Sequence, residues 1–322
     1  MNITGIIQFS SVRGATAHSV RCITLLLAFV CATGAARTAS AQYIADEAHV
    51  RLWTDTTLYT GSPVGSRDET VLAPVLLADL KLAGFRLGGA LPFAAGWSDS
   101  ALDLLGGSGT QSGSDFVMGN PSLQALFEVG NGPVLGSIGA GFAFSVPGAT
   151  VADADEAAGK RALTLAAASR GLWNDWWWLL DTSTLYFPAS IRFRDDMLEI
   201  GAEGAIGVTF PGGNRDTGLV SEIGGYAAVV SKTSEFGLRL RSYIPIANRA
   251  AASLEFSQIP GVSIGGGVTP SQTSAELYAE RVFSKFLLLG GGFLLNLDTP
   301  YGVFGNGDDI WGARLLLGIT VY

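Results

Sequence analysis

The fold is decided by residues 181–210, DTSTLYFPASIRFRDDMLEIGAEGAIGVTF. Apolar and polar residues alternate on both sides of Asp195-Asp196, and this period of two is typical of β-strands with one apolar and one polar face. The apolar face consists of Leu185, Phe187, Ala189, Ile191 and Phe193, then Leu198, Ile200, Ala202, Gly204, Ile206, Val208 and Phe210. The opposite face carries Thr184, Tyr186, Ser190, Arg192, Arg194, Glu199, Glu203 and Thr209. The two aspartates suit a tight turn, so the stretch is predicted to be a β-hairpin.

The same alternation recurs along the chain. It predicts strands over 48–59, 70–82, 85–96, 118–129, 133–146, 181–194, 197–210, 219–230, 235–246, 272–283, 285–297 and 310–322. Short connections lie at 83–84, 130–132, 195–196, 231–234 and around Ser284. Long connections, rich in Gly, Asp, Ser and Pro, lie between them at 60–69, 97–117, 147–180, 211–218, 247–271 and 298–309.

This alternation of short and long connections is typical of an outer-membrane barrel. No stretch from residue 47 onward has the ~18 to 20 apolar residues in a row that a membrane helix needs. A bilayer also admits closed β-barrels, whose strands alternate with period two and whose turns are short on one side. We therefore expect an all-β protein, an antiparallel transmembrane β-barrel of about 12 strands, with ten or fourteen as alternatives. Both termini and the short turns would face the periplasm. A soluble β-sandwich shows the same alternation within each strand, so alternation alone does not decide between them.

The first 41 residues have the form of a secretory signal peptide. They hold three arginines and no acidic residue, and the apolar run 22–36 precedes the small-x-small site Ala39-Ser40-Ala41. We expect two parts, a signal peptide at 1–41 and one outer-membrane β-barrel domain at 42–322. A membrane anchor is the alternative, but the apolar run is short for a span.

Composition excludes several classes of function for residues 42–322. Both cysteines, Cys22 and Cys31, lie in the signal region, which removes disulfides, thiol nucleophiles and cysteine metal sites. Removing three arginines from the 20 basic residues leaves 17 against 28 acidic ones, a formal charge of −11. Nucleic acid binding needs clustered basic residues, so no nucleic acid partner is expected. No sequence motif indicates a cofactor, and none is expected.

Aromatic residues gather near strand ends, where two belts at the headgroup level are typical of membrane barrels. The belt predicted at the outer rim consists of Tyr59, Phe93, Trp97, Trp176, Trp177, Trp178, Phe210, Tyr301 and Trp311. The belt predicted at the periplasmic rim consists of Phe85, Phe127, Phe193, Phe236, Phe283, Phe286 and Tyr322.

The inward polar face is the main candidate site. The predicted channel-lining residues are Arg192, Glu199, Glu203, Glu222, Arg239, Arg241, Glu276 and Glu280. A turn at 195–196 would place Arg192 opposite Glu199 as a cross-strand ion pair. Charged linings tune which solutes pass a pore. The alternative is that the charges pair with each other and fill a closed barrel.

The third long connection is a second candidate. Residues 153–171 begin with acids, continue with basic residues and alanines, and end at Gly171, which predicts a short helix. The helix would either fold into the barrel mouth and constrict it or rest outside on the rim. Acids predicted for the external loops are Asp99, Asp103, Asp115, Asp153, Asp155, Glu156, Asp175, Asp216, Asp298, Asp308 and Asp309. These acids would form a solvated rim or hold divalent cations that bridge lipopolysaccharide.

Enzymatic activity is not expected. Barrel enzymes of the outer membrane use a histidine as general base. Beyond the signal region the chain has one histidine, His49, at the predicted start of the first strand, where a structural role is the common one.

Two segments resemble outer-membrane channels of the phenol meta-degradation type: 117–129, VMGNPSLQALFEV, and 295–322, LNLDTPYGVFGNGDDIWGARLLLGITVY. The aromatic end is similar to the signature that the barrel assembly machinery recognises. It differs in frame, because the apolar face contains Leu315, Leu317 and Ile319 rather than Tyr322.

The resemblance implies a passive outer-membrane channel or transporter for small, often hydrophobic solutes. The expected partners are outer-membrane lipid and lipopolysaccharide, the barrel assembly machinery and a small-molecule solute. A closed structural or surface-interaction barrel without conductance is the alternative function.

Overall fold

A computed structural model describes residues 50–61, 68–82, 84–101, 110–130, 133–146, 156–212, 216–231, 233–247, 271–283, 286–298, 301–303 and 309–321. For 68, 98–101, 110–115 and 156–161 it describes the backbone alone. The predicted signal peptide and His49 lie outside these residues. In the described part of the chain, no helix is long and apolar enough to cross a membrane.

The strands match the predicted ones closely. They are β1 (Val50–Gly61), β2 (Asp68–Leu82), β3 (Phe85–Ala101), β4 (Thr110–Met118), β5 (Ser122–Val129), β6 (Val134–Ala143), β7 (Thr182–Arg194), β8 (Leu198–Pro211), β9 (Gly218–Val230), β10 (Ser234–Ala247), β11 (Gln272–Phe283), β12 (Leu287–Asn296) and β13 (Trp311–Val321). Between β6 and β7 the chain forms helix α1 (Glu156–Ala168) and a 3₁₀ turn (Asp175–Trp177). The helix predicted over 153–171 is therefore confirmed, with its ends a few residues inside the predicted range.

The sheet closes on itself. From β5 onward each strand pairs antiparallel with the next, and β1 pairs with both β2 and β13. The strands β4 and β5 pair in turn with the two halves of β3, so together they occupy one position in the wall. The result is a closed antiparallel barrel of 12 strand positions, which confirms the predicted class and count.

The fourth wall position differs from the prediction, which placed a loop over 97–117. Here β3 runs to Ala101 and β4 begins at Thr110. These extensions, Ser98–Ala101 and Thr110–Asp115, are mostly polar and lack the apolar alternation by which strands are recognised. Backbone pairing with each other places them in the sheet. The strand breaks at Gly119-Asn120-Pro121, where Pro121 has no N–H to donate.

The barrel is apolar outside and polar inside, the reverse of a water-soluble fold. Ile138, Ile191 and Ile223 are each more than half exposed on the outer surface. On the inner surface Glu199, Glu222 and Glu276 are each 2% exposed. The predicted faces of β7 and β8 are confirmed, and so is the outward apolar face of β13. A closed wall with an apolar exterior satisfies the two demands of a bilayer, which are paired backbone groups and apolar contact.

The aromatic residues follow the predicted belts only in part. Phe85, Phe127, Phe193, Phe236 and Phe286 are exposed at the short-turn end. Trp97 and Phe210 are exposed at the opposite end. The prediction is wrong for Tyr59, Trp176, Trp177, Trp178 and Tyr301, which are all buried. Tyr322 lies outside the described residues.

The outer surface yields the first prediction. Ile223→Arg, near the middle of β9 and 58% exposed, should lower the free energy of unfolding in lipid vesicles by about 2 to 4 kcal/mol, because it places a charge at the bilayer midplane. Met197→Arg, in a short turn, is the matched control and should cost less than about 1 kcal/mol. Denaturant titration in vesicles measures both. Equal costs would show that the outer surface does not contact lipid.

Candidate functional site

The lumen is occupied by the chain itself. We call residues 156–180 the inserted segment; its side chains from Ala162 to Ser169 and from Trp176 to Leu179 are buried. It contacts the wall on almost every side, from Ala162 beside Gly96 on β3 to Gly171 beside Ser274 on β11. Of the two placements left open by the sequence, the structure shows the one inside the barrel.

Arg170 ties the inserted segment to β1 and β2. Its guanidinium donates to Asp55 Oδ2 at 3.1 Å, to the Asp55 carbonyl at 2.7 Å and to the Ala73 carbonyl at 2.9 Å. Asp55 also accepts two hydrogen bonds from Arg314 of β13, at 2.8 and 2.9 Å. A buried charge is tolerated only when paired and hydrogen-bonded, so this cluster fixes the position of the segment.

Two asparagines of the wall satisfy backbone groups of the inserted segment. Asn120 donates through Nδ2 to the carbonyls of Trp176 at 2.9 Å and Leu179 at 2.7 Å. Asn296 donates to the carbonyl of Ala168, the last residue of α1, at 2.8 Å. The end of a helix leaves carbonyls without intrahelical partners, so Asn296 acts as an external cap. Asn120 can reach inward because β4 and β5 are interrupted at that point.

Glycines let the segment lie against the wall. A methyl group on Gly312 of β13 would overlap the carbonyl of Ser169. One on Gly119 would overlap the carbonyl of Trp177. Glycine in a strand often marks such a close backbone approach. Glycines at these wall positions are a signal in the sequence that could have indicated close packing against the wall.

The aromatic residues predicted for the outer rim pack inside. Trp176 stacks on Tyr186 of β7, with ring centroids 4.5 Å apart. Trp177 donates its indole N–H to Ser122 Oγ at 3.0 Å. Trp178 lies under the Arg170 guanidinium, 5.7 Å from ring centre to Cζ. Runs of tryptophan suit a headgroup belt and a packed core equally well, so the sequence could not distinguish these positions.

The eight predicted lining residues all lie on the inner surface, where Arg192, Glu199, Glu203, Arg239, Arg241 and Glu276 form ion pairs. Glu276 accepts from Arg239 at 3.0 Å, Arg241 at 3.4 Å and Arg314 at 2.8 Å. Glu203 contacts Arg239 and Arg241, at 3.4 and 3.0 Å. Glu222 is buried under the inserted segment, and Glu280 is half-buried on β11. Their role as a channel lining stays a prediction.

The predicted pairing of Arg192 with Glu199 is wrong in register. Glu199 lies opposite Arg194, and Arg192 lies opposite Gly201. The Asp195 carboxylate accepts hydrogen bonds from Met197 N and Leu198 N, which lengthens the turn, and these bonds lower the pKa of Asp195. Glu199 binds Arg194 at 3.2 Å, while Arg192 is 4.0 Å away. Arg170 and Arg314 were also not predicted from the sequence. Arg170 lies in a long connection and Arg314 is the one charged residue in an apolar strand, so no alternation of polar and apolar residues indicated that either side chain lies in the lumen.

Two cavities flank the inserted segment. The smaller, about 50 Å³, lies between Arg170, Trp173 and Arg314. The larger, about 500 Å³, lies toward the short turns and is lined by charged residues of β1, β2, β3, β5, β7 and β8. We call the larger one the vestibule. Trp177 and Tyr186 line it on the side of the inserted segment.

The structure describes only some of the acids predicted for the outer rim. For Asp175 the prediction is wrong. Asp175 is 2% exposed inside the barrel, where Glu222 Oε1 accepts its backbone N–H at 3.3 Å. Asp216 and Asp309 are exposed, as predicted. Among the described residues no three His, Cys, Asp or Glu side chains group as a metal site. Burial raises the pKa of the Asp175 carboxyl to about 7.

Comparison with known proteins gives structural neighbours alone. No family model matches the chain, and no curated protein matches it. An outer-membrane channel from Pseudomonas putida F1 is similar at 10% identity and a TM-score of 0.49, covering 84% of this chain and 94% of its own. The NanC porin is similar at 8% identity and a TM-score of 0.43, covering 84% and 99%. The translocator domain of the Neisseria meningitidis autotransporter NalP follows at 11% and 0.42, covering 95% and 96%.

Outer-membrane channels are among the solved structures to which this barrel is similar. At these identities the similarity concerns the fold, and the activities of those proteins are not assigned to this chain.

The Arg170 cluster yields the second prediction. Arg170→Met should weaken docking of the inserted segment by about 2 kcal/mol, because three hydrogen bonds to a charged group are lost from a buried site. Amide hydrogen exchange within the inserted segment should then be roughly 30-fold faster, with the strands unchanged.

Arg194→Met is the matched control for that experiment. It also removes an arginine–carboxylate pair from the lumen, but Glu199 does not contact the inserted segment. It should leave exchange in the segment unchanged. Identical exchange in both variants would show that Arg170 does not hold the segment in place.

Asp175 yields the third prediction, a pH dependence of docking. The docked carboxyl holds its proton more tightly than a solvated one with a pKa near 3.8, so docking is strongest at low pH. The stabilisation is lost as pH rises toward about 7 and changes no further above it. Acrylamide quenching of tryptophan should therefore increase as the pH rises from about 4 to about 7 in the native protein. Asp175→Asn should flatten this profile; an unchanged profile in that variant would assign the titration to another group, such as the buried Glu222 that contacts the segment.

Proposed function

We propose that this protein is a passive outer-membrane channel for small solutes and that the inserted segment is its gate. The observation that carries the proposal is the vestibule, a charged cavity of about 500 Å³ that ends at the inserted segment. A path into the barrel therefore exists from the short-turn side and is blocked by an element outside the sheet.

The blocking element can move without breaking the barrel. The inserted segment consists of a helix and turns and adds no strand to the ladder of β1 to β13. Its attachments are side-chain contacts such as those of Arg170 and Asn296, the main-chain hydrogen bond from Asn120 to Trp177, and the packing of its buried apolar side chains. Displacing it breaks no pairing between strands, whose backbone groups have no other partners in lipid.

The outer-membrane location is part of the proposal. Support comes from the apolar outer surface and from the short turns gathered at one end. Lipid, lipopolysaccharide and the barrel assembly machinery are the partners that such a location requires. When the gate is displaced, the proposed lining consists of Arg192, Glu199, Glu203, Glu222, Arg239, Arg241, Glu276 and Glu280.

A closed structural barrel is the second candidate. It is favoured by the many wall contacts of the inserted segment and by the pairing of the lumen charges with each other. In that case the external loops would be the working surface and no solute would pass.

A reversible cross-link distinguishes the two candidates and is the fourth prediction. Residues 42–322 contain no cysteine, and a Cβ on Gly96 would lie 3.0 Å from the Ala162 Cβ. The double variant Gly96→Cys/Ala162→Cys can therefore form a disulfide between wall and gate after a small adjustment. In planar bilayers we expect conductance steps from the native protein and from the reduced variant, and silence from the oxidised variant.

The matched control joins two wall strands. Thr60 and Thr70 face each other across β1 and β2, with their hydroxyl oxygens 3.1 Å apart. Thr60→Cys/Thr70→Cys should conduct in both redox states. Silence from well-folded native protein and from all reduced variants would establish the closed barrel instead. Conductance in the oxidised gate variant would contradict the gate.

A further inference from the structure

The vestibule is positively charged, although the chain as a whole is acidic. Its basic lining residues are Arg51, Lys81, Arg86, Arg192 and Arg194. Its acidic lining residues are Asp79, Glu128 and Glu203. Five cations against these three carboxylates and Glu199, which pairs with Arg192 and Arg194 from outside the lining, leave a net charge of +1 around a cavity of about 500 Å³. This volume lies within the usual range for small-molecule sites.

Each carboxylate of the lining is already held by basic groups. Asp79 is bound by Arg51 and by Arg86 at 3.2 Å. Glu128 is bound by Lys81 at 2.9 Å and by Arg86 at 3.0 Å.

Glu203 is neutralised from outside the vestibule, by Arg239 and Arg241. The carboxylates therefore offer little attraction to a cation. The net positive charge favours an anion over a cation, and low-dielectric walls strengthen its field.

The tryptophans of the vestibule lie at its upper end, whereas most of its charges lie closer to the short turns, together with Leu126, Leu135 and Tyr226. The upper row, in hydrogen-bonded register across four strands, is Trp53, Leu77, Ala90 and Ser122. One layer closer to the short turns the row is Arg51, Asp79, Gly88 and Gln124. Trp177 and Tyr186 add aromatic surface at the upper end. A ligand that fits this arrangement has an apolar ring directed at the gate and a negative group directed at the periplasm.

We propose that the vestibule is a binding site for small aromatic carboxylates. The carboxylate would lie among Lys81, Arg192 and the basic residues beside them. The side chain of Lys81 keeps 29% of its surface exposed, and that of Arg192 keeps 24%. The ring would pack against Trp53 and Trp177. This assignment rests on the proposed channel function for its role in transport, but binding itself needs no passage of solute.

Calorimetric titration of the purified protein in detergent micelles tests the site with matched ligands. Benzoate, benzyl alcohol and benzylamine share a ring and differ in charge, while acetate keeps the charge and lacks the ring. At pH 7 and low salt, benzoate should bind about tenfold more tightly than each of the other three, since one charged hydrogen-bonding group and one stacked ring each contribute about that factor. Raising the salt concentration should weaken benzoate binding.

Two single variants test the residues. Lys81→Gln and Arg192→Gln should each weaken benzoate binding about three- to tenfold, the reduction expected for partly exposed charged groups. Arg281→Gln is the control, because Arg281 lies on β11 outside the lining. Circular dichroism verifies that each variant is folded, and either lining variant suffices if the other fails to fold.

The outcomes separate this site from the channel. Equal affinity for benzoate and benzylamine, or native affinity in both lining variants, overturns the site. Redox-dependent conductance without benzoate binding would overturn the site and leave the channel intact. Benzoate binding by a protein that never conducts would overturn the channel and keep the site.

Discussion

Closure of the sheet between β1 and β13 is the constraint on which the rest of the structure depends. Val50 pairs with Val321 and Leu58 with Ala313 along this seam, so the wall has no open edge. Closure separates an apolar outer surface from an inner surface whose charges must find partners within the barrel. The buried networks around Asp55, Glu203 and Glu276 follow from it, and Arg314 joins two of them from the closing strand.

The side chains of the wall alone do not fill the lumen of this barrel, and the charged groups on its inner surface need hydrogen-bonding partners. The inserted segment fills the lumen with alanines and tryptophans while Arg170, Asn120 and Asn296 satisfy the polar groups at its boundaries. The strands hold one another through backbone pairing, whereas the segment is held mainly by side chains. This difference in attachment is the basis of the proposal that the segment can leave the lumen while the wall stays intact.

The strands and their faces could be predicted from sequence because a period of two is a local signal. Leu185 to Phe193 and Ile200 to Phe210 show it clearly, and the structure places them outward. The interior could not be predicted in the same way. Whether Trp176 to Trp178 lie in a lipid belt or in the lumen depends on where a long connection folds, which no local pattern encodes. The register of Arg192 was missed because the side chain of Asp195 lengthens the turn.

The central claim is that solutes pass only when the inserted segment leaves the lumen. The most direct measurement is thiol modification of a single cysteine at Ser169, which is 1% exposed within the segment, by a membrane-impermeant reagent during conductance recording. We expect the modification rate to rise and fall in proportion to the open probability. Continued conductance with no modification of that cysteine would show that the segment stays in place and would contradict the account.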